Sequence, residues 1–170
     1  VKEKEAVVMR AELDKEIAIE SGSRKIQLDK IIHDTNSDFS GGKFQPSVAG
    51  YYQVSGAVNA GTNTGSVKAC VSFIYKNDAV ELTGTQYNVS PTDSQNALRS
   101  QVSGIVYLNG TTDFICLNGL ISVDGASGGN IGGGTGNTYL TAHLITGQSS
   151  GGGSGSGGGS YTPEKMVWEN

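Results

Sequence analysis

The chain is poor in proline and cysteine, with three and two in 170 residues, and it has no long apolar run. No stretch approaches the ~20 consecutive apolar residues that a membrane-spanning helix needs, and the first residues carry no basic-then-apolar leader. A soluble chain is expected, and one that starts at Val1 rather than Met is read as processed or cut from a longer protein. Two cysteines cannot build a disulfide scaffold. Cys70 and Cys116 each sit inside an apolar, strand-like run, so buried free thiols are expected. An excess of charge of one sign is also missing: 16 acidic and 12 basic side chains leave a formal net charge of -4. That balance argues against a grip on phosphate backbones, and no stretch mixes aromatic and basic residues as a stacking platform would. Nucleic acid is therefore excluded as a partner. Histidine is scarce too: His33 and His143 fall in different segments, without Cys or carboxylate at metal-ligand spacing, and no zinc site is legible.

What the chain does have is glycine, 26 residues of it, unevenly placed. One cluster lies between Gly119 and Gly136 and a second between Gly147 and Gly159, with no Gly-X-Y period, so a collagen-like chain is excluded. Charge is uneven as well, since residues 1–30 hold half of all the charged side chains. Lys, Glu and Ala there would suit a helix. The apolar positions decide otherwise: Val7, Met9, Ala11 and Leu13 step by two, as do Ile17 with Ile19 and Ile26 with Leu28. Strands with polar outer faces are predicted, with room for a short helical turn over Lys2 to Ala6.

From residue 44 onward strand-like runs recur between turn signals, the pattern of an all-β sandwich or barrel. Tyr52, Val54, Gly56 and Val58 share one face of a run over 51–59, and Leu98, Val102, Val106 and Leu108 share one face of 97–108. The run 67–76 sets Val67, Ala69, Val71, Phe73 and Tyr75 against Lys68, Cys70, Ser72, Ile74 and Lys76, and Asn77-Asp78 offers a tight turn into 79–82. Asn109-Gly110 is the strongest hairpin signal, because both residues tolerate the positive φ of a type I′ turn. The strand after it, 113–123, is apolar on both faces. In a two-layer sandwich that pattern predicts a cover over the outer face, which favours an oligomer.

The last strand is predicted over 137–146, after a glycine loop at 124–136. Residues 147–160 contain only Gly, Ser and one Gln, and are predicted to be a flexible linker with an end-to-end distance of ~20 Å. The decapeptide 161–170 is then either the start of a further module or an appended peptide, on a native or an engineered linker. The predicted division is an N-terminal extension over 1–5, a folded domain over 6–146, the linker, and the decapeptide.

The stretch from Asp34 to Val58, with Phe44-x-Pro46-x-x-x-Gly50-x-Tyr52-x-Val54, resembles the globular heads of complement's first component, jelly-roll modules related to tumour necrosis factor, especially in their bacterial and phage versions. Tyr75-Lys76-Asn77, the run Leu108 to Asp113 leading into Phe114 to Leu117, and the closing strand Thr138 to Ile145 follow in family order, so the resemblance spans about residues 6–146. Leu140 and Ala142 depart from it, standing where the family shows an aromatic residue and a glycine. The resemblance implies an antiparallel jelly roll of about ten strands that packs as a trimer. The motif has physical sense of its own: Gly50 can supply positive φ where a turn enters a strand, Pro46 fixes the preceding loop, and Tyr52 brings a large ring to the core with a hydroxyl to be satisfied.

Catalytic patterns are weak. Gly125-Ala126-Ser127-Gly128-Gly129 fits G-x-S-x-G by letter, but no helix follows and no acid or His partner is placed. Asp34-Thr35-Asn36-Ser37-Asp38 alternates oxygen ligands as a calcium loop would, yet Phe39 and Gln45 stand where that loop needs Gly and Glu. Asp34 and Asp38 are thus weak calcium candidates beside an Asx-turn reading, and no other cofactor is expected. Asn88-Val89-Ser90 and Asn109-Gly110-Thr111 match glycosylation acceptors. The leading functional expectation is a non-enzymatic structural and receptor-binding module of a phage tail fibre or similar virion appendage, extracellular or virion-borne. Its partners would be its own copies, neighbouring fibre modules, and a host glycan or surface protein. A secreted bacterial adhesion or spore-surface module of the same fold is the alternative, and a carbohydrate-active fibre domain a third. Ligands are expected on polar loops, at 88–96 with Asn88, Ser90, Thr92 and Asp93, and at 124–136 with Asp124 and Asn130.

Overall fold

The computed structural model describes residues 6–90, 92, 95–124 and 128–147. The expected turn over Lys2 to Ala6 (save Ala6), Asp93, residues 125–127 of the G-x-S-x-G match, the linker beyond Gly147 and the decapeptide lie outside the described residues. Within them the chain is all β and antiparallel: β1 (Val8–Glu12), β2 (Ile17–Ile19), β3 (Gly22–Lys25), β4 (Lys30–Asp34), β5 (Phe39–Ser40), β6 (Lys43–Phe44), β7 (Gly50–Gly61), β8 (Ser66–Lys76), β9 (Ala79–Thr83), β10 (Tyr87–Asn88), β11 (Ala97–Leu108), β12 (Ile115–Asp124), β13 (Gly129–Ile131) and β14 (Tyr139–Gly147).

The strands form two sheets packed face to face. In the first, β4, β1, β14, β7 and β11 lie side by side, with the short β13 continuing beside the end of β7 and carrying β2. In the second, β12 and β8 are central, flanked by β3 and the β5–β6 pair on one side and by β9 and β10 on the other. The chain changes sheet between β7 and β8 and again between β11 and β12, which makes a jelly roll rather than a meander.

Alternation fixes the core. Met9 and Ala11 of β1, Tyr52, Val54 and Val58 of β7, Val102, Val106 and Leu108 of β11, and Leu140 and Ala142 of β14 point inward from the first sheet. They meet Cys70 and Ile74 of β8 and Ile115, Leu117 and Ile121 of β12. On β8 the core row is thus Cys70 and Ile74, while a register shift against β12 also turns Val67 inward. The family motif packs as expected around Tyr52: its ring stands edge-on to Phe44 at 5.7 Å, and its hydroxyl donates to the Val48 carbonyl at 2.7 Å. Pro46 is buried in the loop before β7. Burial, with Asp38 nearby, pushes the Tyr52 phenol up to about 12.

Four expectations need correction. Asn109-Gly110 does not join a hairpin, because β11 pairs with β7 while β12 pairs with β8 in the other sheet. Only Gly110 has positive φ, and Asn109 instead uses its carboxamide oxygen to accept the backbone N–H groups of Thr111, Thr112 and Asp113. The two-residue type I′ hairpin is Asn77-Asp78, with φ of 52° and 65° between β8 and β9. Gly50 is not a positive-φ residue: it opens β7 as a ladder position between Leu108 and Gly147. Ile26 and Leu28 alternate and are buried, but 26–29 is a crossing rather than a strand, with Ile26 N–H donating to Leu117 in one sheet and Asp29 N–H to Glu12 in the other.

The fourth correction concerns β12. Its outward residues Cys116 and Asn118 are 1% and 8% exposed in the single chain, beside the Cα partners Tyr75 and Phe73, whose rings pack edge to face. Neighbouring side chains of the same sheet therefore cover Cys116 and Asn118, while Leu120 further along the same face stays 36% exposed. Cys70 and Cys116 are both buried free thiols, as expected.

Candidate functional site

The end of the sandwich opposite Val8 and Gly147 is where four connections meet. Each is held by a backbone device written in small polar residues. After β1 the buried Leu13 is clamped on both sides, its N–H donating to Thr138 and its carbonyl accepting from Gly134. Gly133 passes so close to Lys15 and Glu16 that a side chain there would collide with their backbone, which is why the glycine loop can lie against the 14–16 turn at all. The fully buried Thr138 ties the same loop to β7: its hydroxyl donates to the Gly132 carbonyl at 2.8 Å and accepts the Asn59 N–H at 3.2 Å. β13 then pairs with both β2 and β7, setting Asn130 opposite Ala18 and Gly61. On the far side, Thr62 N–H donates to the Asn96 carbonyl, and its hydroxyl reaches the carbonyls of Thr64 and Gly128.

These devices leave an open cleft of about 750 Å³. Its walls are Asp14, Lys15 and Glu16 from the β1–β2 turn, Asn59 and Gly61 to Asn63 around the end of β7, Asn96 and Ala97 at the start of β11, and Asn130, Gly132 to Gly134 and Asn137 from the glycine loop. A recess of about 370 Å³ adjoins it and shares Glu16, Asn63 and Asn130. The surface is rich in carboxamides, carries two carboxylates and one ammonium, and has no aromatic side chain in its lining.

Of the residues expected on binding loops, Asn130 lines this cleft and Asn96, within the 88–96 segment, joins it. Asn88, Ser90 and Thr92 do not: Asn88 belongs to β10 at the edge of the second sheet and accepts from Gln86, while Ser90 and Thr92 hydrogen-bond each other at 3.1 Å. Asp124 ends β12 opposite Ser66, outside the lining. Asp34 and Asp38 lie at the other end of the domain. Asp34 accepts the N–H groups of Asp38 and Phe39, and Asp38 accepts from the Ser47 N–H and hydroxyl, so both carboxylates brace this loop through longer-range bonds than an Asx-turn makes. Among the described residues no three His, Cys, Asp or Glu side chains are grouped as metal ligands. The two carboxylates of the cleft, Asp14 and Glu16, come from one three-residue segment rather than from facing walls, whereas glycoside hydrolysis needs a pair across the bond.

Sequence reasoning missed Asp14, Lys15, Glu16, Asn59, Asn63 and Asn137. The abrupt end of the apolar alternation after Leu13 signals the first three. Asn59 carries no local signal, since it reads as the polar side of a buried strand.

A second surface lies on the outer face of the first sheet. Tyr51 of β7 and Tyr107 of β11 are cross-strand partners with rings 5.3 Å apart, and Ile105 and Ile145 extend the patch. Ile105 is 59% exposed and Tyr51 53%, high for large apolar side chains on a regular sheet. Toward the cleft end the same face turns polar. Arg10 and Arg99 lie over the Tyr139 ring, and the buried Glu12 accepts from Arg10 at 2.6 Å.

The fold is the tumour necrosis factor jelly roll. Eiger TNF from S. frugiperda superposes with a TM-score of 0.63 over 86% of this chain and 96% of that one, at 7% identity. Two crystal structures of murine APRIL superpose at 0.54 and 0.56, each over 83% of this chain and 100% of APRIL, at 12% and 9% identity. No family model matches the chain, and no curated protein sequence does either. The tumour necrosis factor side of the sequence resemblance is thus borne out as architecture.

Proposed function

We propose that the chain is a non-enzymatic structural and binding module of an extracellular appendage, a phage tail fibre or a similar virion structure, that assembles as a homotrimer and meets its receptor with the loop-end cleft. The observation that carries this reading is the exposed Tyr51, Ile105, Tyr107 and Ile145 patch on the outer sheet face. A contiguous apolar patch on an ordered sheet is what a self-association surface presents before assembly. The jelly-roll fold shared with tumour necrosis factor structures supports it. Position supports the binding half: β1 and β14 are antiparallel, so the N-terminal side of β1 and the C-terminal side of β14 leave the domain at the same end, and the cleft faces away from both. A domain held through a glycine-serine linker after β14 would present that end outward.

Native mass spectrometry of the chain at micromolar concentration tests the assembly. A species of three chains is expected, and a stable monomer overturns the trimer. Exchanging Ile105 for Glu is expected to release folded monomers.

A further inference from the structure

The cleft carries side chains that the fold does not use. The carboxamides of Asn59, Asn63, Asn96 and Asn130 all reach its lining, and among the described residues none has a hydrogen-bond partner within the chain. Asn137, by contrast, spends its amide on the Gly133 carbonyl at 2.6 Å. Asn59 and Asn130 are half-buried, and each is packed over a glycine, at 132 and 61 respectively. Each lies against glycine backbone and keeps its hydrogen-bonding atoms open to the cleft, where a ligand hydroxyl can take the place of water.

The chemistry of the lining selects the ligand. A carboxamide offers a donor and an acceptor side by side, which matches a hydroxyl-bearing ring whose every group is also both. Asp14 and Glu16 are matched by Lys15 and by Lys30, which pairs with Asp14 at 3.6 Å, so the cleft has no excess of positive charge to hold a phosphate, sulfate or carboxylate ligand. With no aromatic or large aliphatic side chain in the lining, the cleft has little to offer a lipid or an apolar peptide.

From this geometry we infer that the cleft is a subsite for a neutral saccharide, held by the carboxamides of Asn59, Asn63 and Asn130, with the Glu16 carboxylate accepting from a ring hydroxyl. The inference deepens the proposed binding role and rests on it. Hydrogen bonds without a stacking platform give weak single-site binding, on the order of millimolar, which multiple copies would raise by avidity.

The test is titration of the full chain with a panel of neutral oligosaccharides and their sialylated counterparts, read by saturation-transfer NMR and calorimetry. At least one neutral oligosaccharide is expected to bind, and Asn59→Ala and Asn130→Ala are each expected to weaken it about tenfold. Asn88→Ala, outside the cleft, is expected to change nothing. Asn63→Ala alters an exposed side chain and serves should either half-buried change disturb folding. Three results overturn the inference: no neutral oligosaccharide binding up to about 50 mM, a preference for the sialylated counterparts, or equal affinity in the cleft variants. Oligomeric state measured on the same samples separates the two levels. A trimer that ignores saccharides sinks the subsite alone, and a monomer that binds them sinks the assembly alone.

Discussion

Ser100 lies fully buried where β11 of one sheet passes β8 of the other, and its hydroxyl is used three ways. It accepts the Ser72 N–H at 2.8 Å, shares a hydrogen with the Ser72 hydroxyl at 2.8 Å, and donates to the Thr85 carbonyl at 2.6 Å. Removing it strands the buried Ser72 N–H and frees the Thr85 carbonyl, so Ser100→Ala is expected to destabilise the fold by ~1–3 kcal/mol, measured by urea denaturation. The buried thiol and phenol give a pH signature of their own. Burial pushes Cys70 from 9.0 up to about 11, outweighing hydrogen bonds from the backbone at Ser100 and Ala60, and pushes Tyr52 from 10.0 up to about 12. Both groups must stay protonated to remain buried. The unfolded chain ionises first, so their contribution is intact below pH 9 and is lost as the pH rises toward 11 and 12. The urea midpoint should therefore fall above pH 9. Cys70 should stay unreactive to a thiol reagent at pH 8 until the chain is unfolded, and rapid labelling of the native chain would contradict its burial.

The β11–β12 crossing is the element where a small network sets a large-scale choice. Asn109 caps three successive N–H groups, and Asp113 receives the Asn77 amide at 2.8 Å, the Asn109 N–H at 3.1 Å and the Lys76 ammonium at 3.2 Å. The Asn77 bond first, then the Lys76 contacts and the Asn109 N–H, hold Asp113 below its ordinary 3.8 against the opposing cost of burial. Its contribution is accordingly present above that pH and lost as acid takes the pH below it. Asn109→Ala is expected to cost ~2 kcal/mol, and Asn109→Asp much less because the acceptor oxygen remains. Gly110→Ala is expected to be the worst change here, since φ is 73° and a side chain would strike the Ala49 backbone. Thermal unfolding of the three variants checks the order. This element also shows where sequence reasoning stops. An Asn-Gly pair reports that the chain must turn, and it did turn, but the pair says nothing about which strand the chain joins next. Asn77-Asp78 succeeded as a hairpin because its strands were already neighbours in one sheet.

At the scale of the whole molecule, the exposed face of the first sheet predicts concentration-dependent stability. If copies bind through Tyr51, Ile105, Tyr107 and Ile145, mass action should raise the unfolding midpoint with chain concentration, and Ile105→Glu should flatten that dependence. A midpoint constant over two decades of concentration would exclude coupled assembly. The alternation of apolar residues determined most of the core strands: in β7 and β11 the large apolar inward positions were legible, because period-two burial is a local property of the chain, while Ala60 and the buried Ser100 were not. The same local logic found the loops that carry Asn96 and Asn130. It could not assemble the cleft, whose walls come from positions near 15, 60, 96 and 133 and meet only where the pairing of the first sheet brings these strand ends together. Nor could it tell which apolar face lacks a cover. On the outer face of β12, Cys116 and Asn118 are buried by their neighbours while Leu120 is not, and the exposed Tyr51 and Ile105 carried no signal in the sequence. Burial on an outer face depends on side chains from adjacent strands, and adjacency between strands distant in sequence exists only in the folded chain.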